Sequence, residues 1–125
     1  RVDTENHPEQ VRRDFERAPH TPPTAGQIRE QVGDAVLTSL IEQGELVRIS
    51  DDVVLAPDVL REWIDFARGR LEAGEPLTVA VLRDHFQTTR RYALDFLERL
   101  DALGITRRKG DERVPGSGRW DRLLS

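Results

Sequence analysis

The amino-acid sequence predicts a mainly α chain with small β-hairpins, an α+β protein built from two tandem copies of one module. Each copy is a helix–turn–helix followed by a hairpin wing. Three observations predict this. Apolar residues recur at i, i+3, i+4 and i+7 in short blocks, the period of a helix with one buried face. After each pair of blocks come two extended runs around a short polar turn, the pattern of a hairpin. Finally, the chain repeats itself. Thr24-Ala-Gly-Gln-Ile-Arg-Glu-Gln-Val32 aligns with Thr78-Val-Ala-Val-Leu-Arg-Asp-His-Phe86 at an offset of 54, and Leu40-Ile-Glu-Gln-Gly44 aligns with Leu100-Asp-Ala-Leu-Gly104 at an offset of 60. Asp51 and Asp111 keep the second offset, so the second copy holds six more residues between its first two helices or at the start of the second.

The elements follow in order. Residues 1–23 are expected to form a linker or the end of a preceding module. A short helix starts near Pro8 and carries Val11, Phe15 and Ala18 on one stripe, until Pro19, Pro22 and Pro23 stop it. Residues 24–73 are expected to be the first winged helix, extended by a bridging helix. Thr24 caps a helix bearing Ile28 and Val32. A second helix runs through Ala35, Val36, Leu37, Leu40 and Ile41 and ends at Gly44. Leu46–Ile49 and Val53–Leu55 flank Ser50-Asp51-Asp52 as a hairpin. From Pro57, the residues Val59, Leu60, Trp63, Ile64, Ala67 and Leu71 recur at helical spacing, which makes Trp63 a core residue rather than a ligand platform.

Residues 76–115 are expected to be the second winged helix. Thr78 caps a helix burying Val79, Leu82 and Phe86, and Thr88 or Thr89 caps the next. Ala93, Phe96, Leu97, Leu100 and Leu103 then form one buried face, closed by Gly104. The runs around Ile105–Arg107 and Arg113-Val114 form the wing, with Gly110 supplying the positive φ of its turn. Residues 116–125 read as a tail. Gly116-Ser117-Gly118 looks flexible, and Trp120, Leu123 and Leu124 either pack back or remain loose.

Composition bounds the function. The 125 residues are 37% hydrophobic and 34% charged, which suits two small modules better than one large core. The chain begins at Arg1, as a piece of a longer protein would. With no cysteine, disulfides and thiolate metal sites are excluded. No apolar run approaches the ~20 residues needed to cross a bilayer. His7, His20 and His85 share no ligand spacing, His85 reads as a surface or partly packed side chain, and neither a metal-hydrolase motif nor a phosphate loop is present. No catalytic or metal-binding residue is expected.

The net charge of −4 is unevenly spread. Residues 1–75 hold nine Arg against sixteen acids, or −7, whereas residues 76–125 hold nine Arg and Lys109 against seven acids, or +3. The first copy has Gly33-Asp34 and an acidic tip at Asp51-Asp52, where the second has basic clusters. Polyanion binding therefore belongs to the second copy. Arg90, Arg91 and Tyr92 open its second helix. Cations there oppose the helix dipole by roughly 0.3–1 kcal/mol each, a cost that a bound phosphate relieves. Arg107, Arg108, Lys109 and Arg113 populate the wing. Strand alternation puts Arg107 and Lys109 on one face and Arg108 on the other. Such charges also protect an edge hairpin. Gly110 and Asp111 either shape the turn or meet a nucleotide closely.

Thr78–Val114 resembles the last winged-helix domain of the bacterial selenocysteine-specific translation elongation factor. The resemblance rests on LTVAVLRDHF and on TTRRYALDFLERLDALGITRRKGDERV. The family has a Thr-Val helix start with an Arg-Asp pair, a basic pair before Tyr-Ala, a Leu-Glu-x-Leu-Asp helix and a Thr-Arg-Arg-x-Gly-Asp-x-Arg wing. Residues 24–73 are similar to the preceding winged helix of that family, with a shortened middle. The resemblance implies a fragment that binds the hairpin of a selenocysteine insertion element beside an in-frame UGA and tethers a GTPase to the ribosome. Carried over, Arg90, Arg91 and Tyr92 match the basic helix start, and Arg107, Arg108, Gly110, Asp111 and Arg113 match the wing. Lys109 falls at the family's variable position. The resemblance also implies a cytoplasmic monomer with no cofactor of its own. GTP and magnesium would belong to a part of the protein preceding these residues, and selenocysteyl-tRNA would be a partner of the whole factor. The alternatives are a winged-helix transcription regulator, which would place its second helix in a DNA major groove, and a protein–protein scaffold.

Overall fold

A computed structural model describes residues 8–124, except for the side chain of Leu124. His7 and the first seven residues of the expected linker lie outside the described residues, as does Ser125. The chain divides into two compact units, residues 1–59 and 60–125. The helix that spans Pro57–Glu72 crosses this division, with most of its length in the second unit.

The first unit comprises α1 (Glu9–Arg17), α2 (Ala25–Val32), α3 (Asp34–Glu42), β1 (Val47–Arg48) and β2 (Val54–Leu55). Its core gathers Ile28, Val32, Leu37, Leu40, Leu46 and Val54. Val11 and Phe15 of α1 join that core, so the helix Glu9–Arg17 packs within this unit. Their spacing of four puts both side chains on the same face. Thr24 begins α2 with a full capping box. Its hydroxyl accepts from the Gln27 amide at 3.2 Å, and the Gln27 side chain accepts from the Thr24 amide at 2.9 Å. Both α3 and the helix Arg90–Ala102 of the second unit end in the same way. At α3, Gly44 takes a φ of +79°, the Gly44 amide donates to Ile41, and the Glu45 amide donates to Leu40.

The second unit contains most of α4 (Pro57–Glu72), then α5 (Val79–Phe86), α6 (Arg90–Ala102), β3 (Thr106–Lys109), β4 (Glu112–Pro115) and a 3-10 turn (Trp120–Leu124). Trp63 is fully buried. It stacks on Phe86 at 5.5 Å between ring centroids and meets Phe96 edge-on at 5.4 Å. Leu60, Leu77, Leu82, Ala93, Leu97 and Leu100 are buried in the same unit. Thr78 caps α5 and Thr89, not Thr88, caps α6. Gln87 takes the left-handed conformation, with φ 56°, to turn between them. In β3–β4, Lys109 pairs with Glu112, which leaves a two-residue loop. Only its first residue, Gly110, has positive φ, the pattern of a type II′ turn. The Arg113 amide also donates to Leu77 just before α5, fastening the wing to the module.

The tail after the wing is docked rather than flexible as far as Gly118. The amides of Gly116 and Gly118 donate to the carbonyls of Ile105 and Gly104, at 2.8 and 2.7 Å. A Cβ on Gly118 would sit 2.5 Å from the Leu103 carbonyl oxygen and 2.6 Å from the Gly104 carbonyl carbon. Both are backbone atoms and cannot swing away. Leu123 is buried and Trp120 half-buried, so the following turn packs back too. Gly118→Ala is expected to lower stability by about 1–3 kcal/mol, the usual cost of overpacking. Urea unfolding measures this, and Gly69→Ala, with open space at its Cβ, is the control.

Candidate nucleic-acid interface

The extra segment of the second copy can now be placed. In the first unit one residue, Gly33, separates α2 from the nine-residue α3. In the second unit three residues, 87–89, separate α5 from the thirteen-residue α6. A turn longer by two and a helix longer by four account for the six added residues. The added helical turn is the one that carries Arg90 and Arg91.

Around that turn lies a groove of about 270 Å³ lined by Thr78, Val79, Ala80, Arg90, Leu94, Arg108, Asp111 and Arg113. Three elements converge there: the start of α5, the start of α6 and the wing. The cross-strand register explains which wing residues take part. Arg108 pairs with Arg113 and shares its face of the hairpin, whereas Arg107 pairs with Val114. Arg108 therefore faces the groove, and Arg107 and Lys109 are exposed away from it. The Arg108 Nε donates to the Gly110 carbonyl at 2.9 Å, which folds the guanidinium back over the turn. Arg90 is exposed, and its side chain makes no hydrogen bond or ion pair among the described residues.

The matching place in the first unit is closed by its own acid. The Ala25 amide donates to the Asp52 carbonyl at 2.8 Å, and the Gly26 amide donates to the Asp52 carboxylate at 3.2 Å. The acidic tip thus caps the α2 start, where helix amides favour negative charge. Val79 and Ala80 occupy the corresponding place in the second unit, and among the described residues their amides have no acceptor. The sequence contrast between acidic and basic tips is a contrast between a filled helix start and an open one.

Among the expected site residues, the structure brings Arg90, Arg108, Asp111 and Arg113 to one groove, with Gly110 forming the turn beside it. Arg107, Lys109 and Arg91 are exposed outside its lining. Tyr92 is buried against the module, only 8% exposed. Arg113 is buried as well, its guanidinium ion-paired with Asp101 at 3.0 Å. Thr78, Val79 and Ala80 were not singled out as site residues. The available signal was the cap pattern itself, since a capped helix start exposes amides. His85 is exposed and stacks on Phe66, 3.9 Å between centroids. Among the described residues no group of His, Asp and Glu is placed to hold a metal ion, and no helix is long and apolar enough to cross a membrane.

Of the comparisons with known proteins, the family model falls on the same module and the others span both units. Residues 70–114 match the family model described as "Elongation factor SelB, winged helix". That model is named for the third winged helix of the factor. A selenocysteine-specific elongation factor from Desulfomicrobium baculatum is 31% identical over 98 residues. The aligned stretch covers 74% of this chain and 16% of that relative, so the chain spans about a sixth of its length. Among solved structures, the mRNA-binding domain of elongation factor SelB from E. coli, in complex with SECIS RNA, matches with a TM-score of 0.64 and 21% identity. That match covers 89% of this chain and all of the other. A bacterial selenocysteine-specific elongation factor, EF-Sec, matches with a TM-score of 0.63 and 24% identity, covering 94% of this chain and 20% of that one. These structural likenesses show the tandem fold, and the family match shows the lineage of its basic half: the second module is a winged helix of the elongation factor SelB family.

Proposed function

We propose that this chain is the mRNA-binding end of a selenocysteine-specific elongation factor, and that its second module grips the hairpin of a selenocysteine insertion element beside an in-frame UGA. The observation that carries the reading is the convergence of Arg90, Arg108 and the open amides of Val79 and Ala80 on one groove. Folded RNA hairpins have a major groove too deep and narrow for side chains. Proteins hold them by the backbone and by bases displaced from loops or bulges. Two cations on separate elements suit two phosphates of a backbone, and helix-start amides suit one of them. Asp111 at the wing tip offers a carboxylate to a displaced base or a 2′-hydroxyl. The first unit, with its acid-capped helix start, acts as a spacer or as a contact within the larger protein.

In this reading the fragment is non-catalytic and monomeric and binds no cofactor. GTP and magnesium belong to another part of the factor, which delivers selenocysteyl-tRNA to the ribosome in the cytoplasm. Residues 24–73 and 76–115 serve as the two functional modules. Backbone amide shifts on adding a SECIS hairpin test the site. Changes are expected at Val79, Ala80, Arg90 and Arg107–Asp111, with Asp51 and Asp52 unmoved. Changes spread along the exposed face of α6, and larger with duplex DNA, would point instead to a transcription regulator. No shifts with either nucleic acid would leave a protein–protein scaffold.

A further inference from the structure

We infer that Arg113 is a positioning residue of the RNA site rather than an RNA contact, and that Asp101 and Thr106 are its partners in setting the wing. The inference rests on the mRNA-binding reading and assigns this wing arginine a role other than touching phosphate. Arg113 reaches the floor of the groove, yet its side chain is only 1% exposed, against 25% for Asp101. Its Nε and Nη2 both donate to Asp101 Oδ2, at 3.2 and 3.0 Å. The other oxygen, Oδ1, accepts from the Thr106 hydroxyl at 2.6 Å. Thr106 is itself 1% exposed.

The placement gives this network its consequence. Asp101 sits in the last turn of α6, while Thr106 lies on β3 and Arg113 on β4. One carboxylate therefore ties both strands of the wing to the helix whose first turn carries Arg90. The Asp101 carbonyl also accepts the Gly104 amide in the turn between α6 and β3. Arg113 faces Arg108 directly across the ladder, and like charges so placed repel. Pairing Arg113 with Asp101 neutralises the inner cation and leaves the outer one available to a ligand. The network thus fixes the angle between wing and helix, and with it the separation of Arg90 and Arg108.

The test compares the wild-type chain with Asp101→Asn, Thr106→Val, Arg113→Met and Arg108→Ala, titrated with a labelled SECIS hairpin at several salt concentrations. A phosphate contact contributes roughly 0.7–0.9 to the log–log salt slope. Arg108→Ala should flatten the slope by about that amount. Arg113→Met should weaken binding about tenfold with the slope unchanged. Asp101→Asn should also weaken binding, although it removes a negative charge near a polyanion, which by long-range electrostatics alone would tighten it. Thr106→Val, which keeps the ion pair, carries the test if either charge variant unfolds, and should weaken binding several-fold. A flattened slope in Arg113→Met, or tighter binding by Asp101→Asn, would overturn the inference. Failure of the wild type to prefer the hairpin would instead sink the mRNA reading. Amide exchange in β3 and β4 of the free variants then decides the positioning role alone, since it should speed up in Asp101→Asn and Thr106→Val and would contradict the network if unchanged.

Discussion

Arg90→Ala/Arg108→Ala is expected to weaken hairpin binding about a hundredfold at roughly 0.15 M salt. A hydrogen bond to a charged group contributes about 1.5–3 kcal/mol. Two such contacts at the lower end give about 3 kcal/mol, and every 1.4 kcal/mol is a factor of ten. The salt slope should flatten by about 1.4–1.8, the share of two phosphates. The paired control is Arg107→Ala/Lys109→Ala, which removes the same formal charge from the wing but from residues outside the groove lining. Under the proposed reading those cations act through the long-range field, which salt screens over ~8 Å. The control should weaken binding less than tenfold. Equal losses in the two double variants would mean that net charge, rather than the groove, governs binding.

Trp63→Ala should have the largest effect on stability. The side chain is fully buried between Phe86 and Phe96. Removing a buried Trp costs about 3–5 kcal/mol, and lost aromatic contacts are part of that cost. Small domains have only about 5–15 kcal/mol in total, so the second unit should be near its unfolding threshold at room temperature. A two-probe urea titration checks this, because the first unit has its own core and should unfold in a separate transition close to that of the wild type. Trp120→Ala is the comparison. That residue is half-buried, and its loss should cost less than a core truncation.

How far the sequence foretold this arrangement depends on the reach of each interaction. Caps and stops are local, and Thr24, Thr78, Gly44 and Gly104 sit where their residue types say. The core faces of α4 and α6 follow from spacing alone. The repeat offset placed six added residues between the first two helices or at the start of the second, and the structure divides them between the turn and the helix. Tertiary partners were not legible. Arg113 reads as one more wing cation, because Asp101, twelve residues earlier on another element, looks like an ordinary helical acid. Asp52 reads as an acidic tip, because its bonds to Ala25 and Gly26 span more than twenty residues. Strand alternation separated Arg108 from Arg107, but which face meets the groove depends on how the wing lies against α5 and α6. The stretch around Gly116 and Gly118 looks like a flexible linker by composition, yet the same glycines are what allow the chain to pass so close to Gly104.

The most direct test of the central claim is a fluorescence titration of the wild-type chain at roughly 0.15 M salt with three ligands: a SECIS hairpin with an in-frame UGA, the same hairpin with its loop scrambled, and a DNA duplex. The account predicts tight binding to the intact hairpin alone, weakened about a hundredfold in Arg90→Ala/Arg108→Ala. Equal binding to all three ligands, or a preference for the duplex, would contradict it.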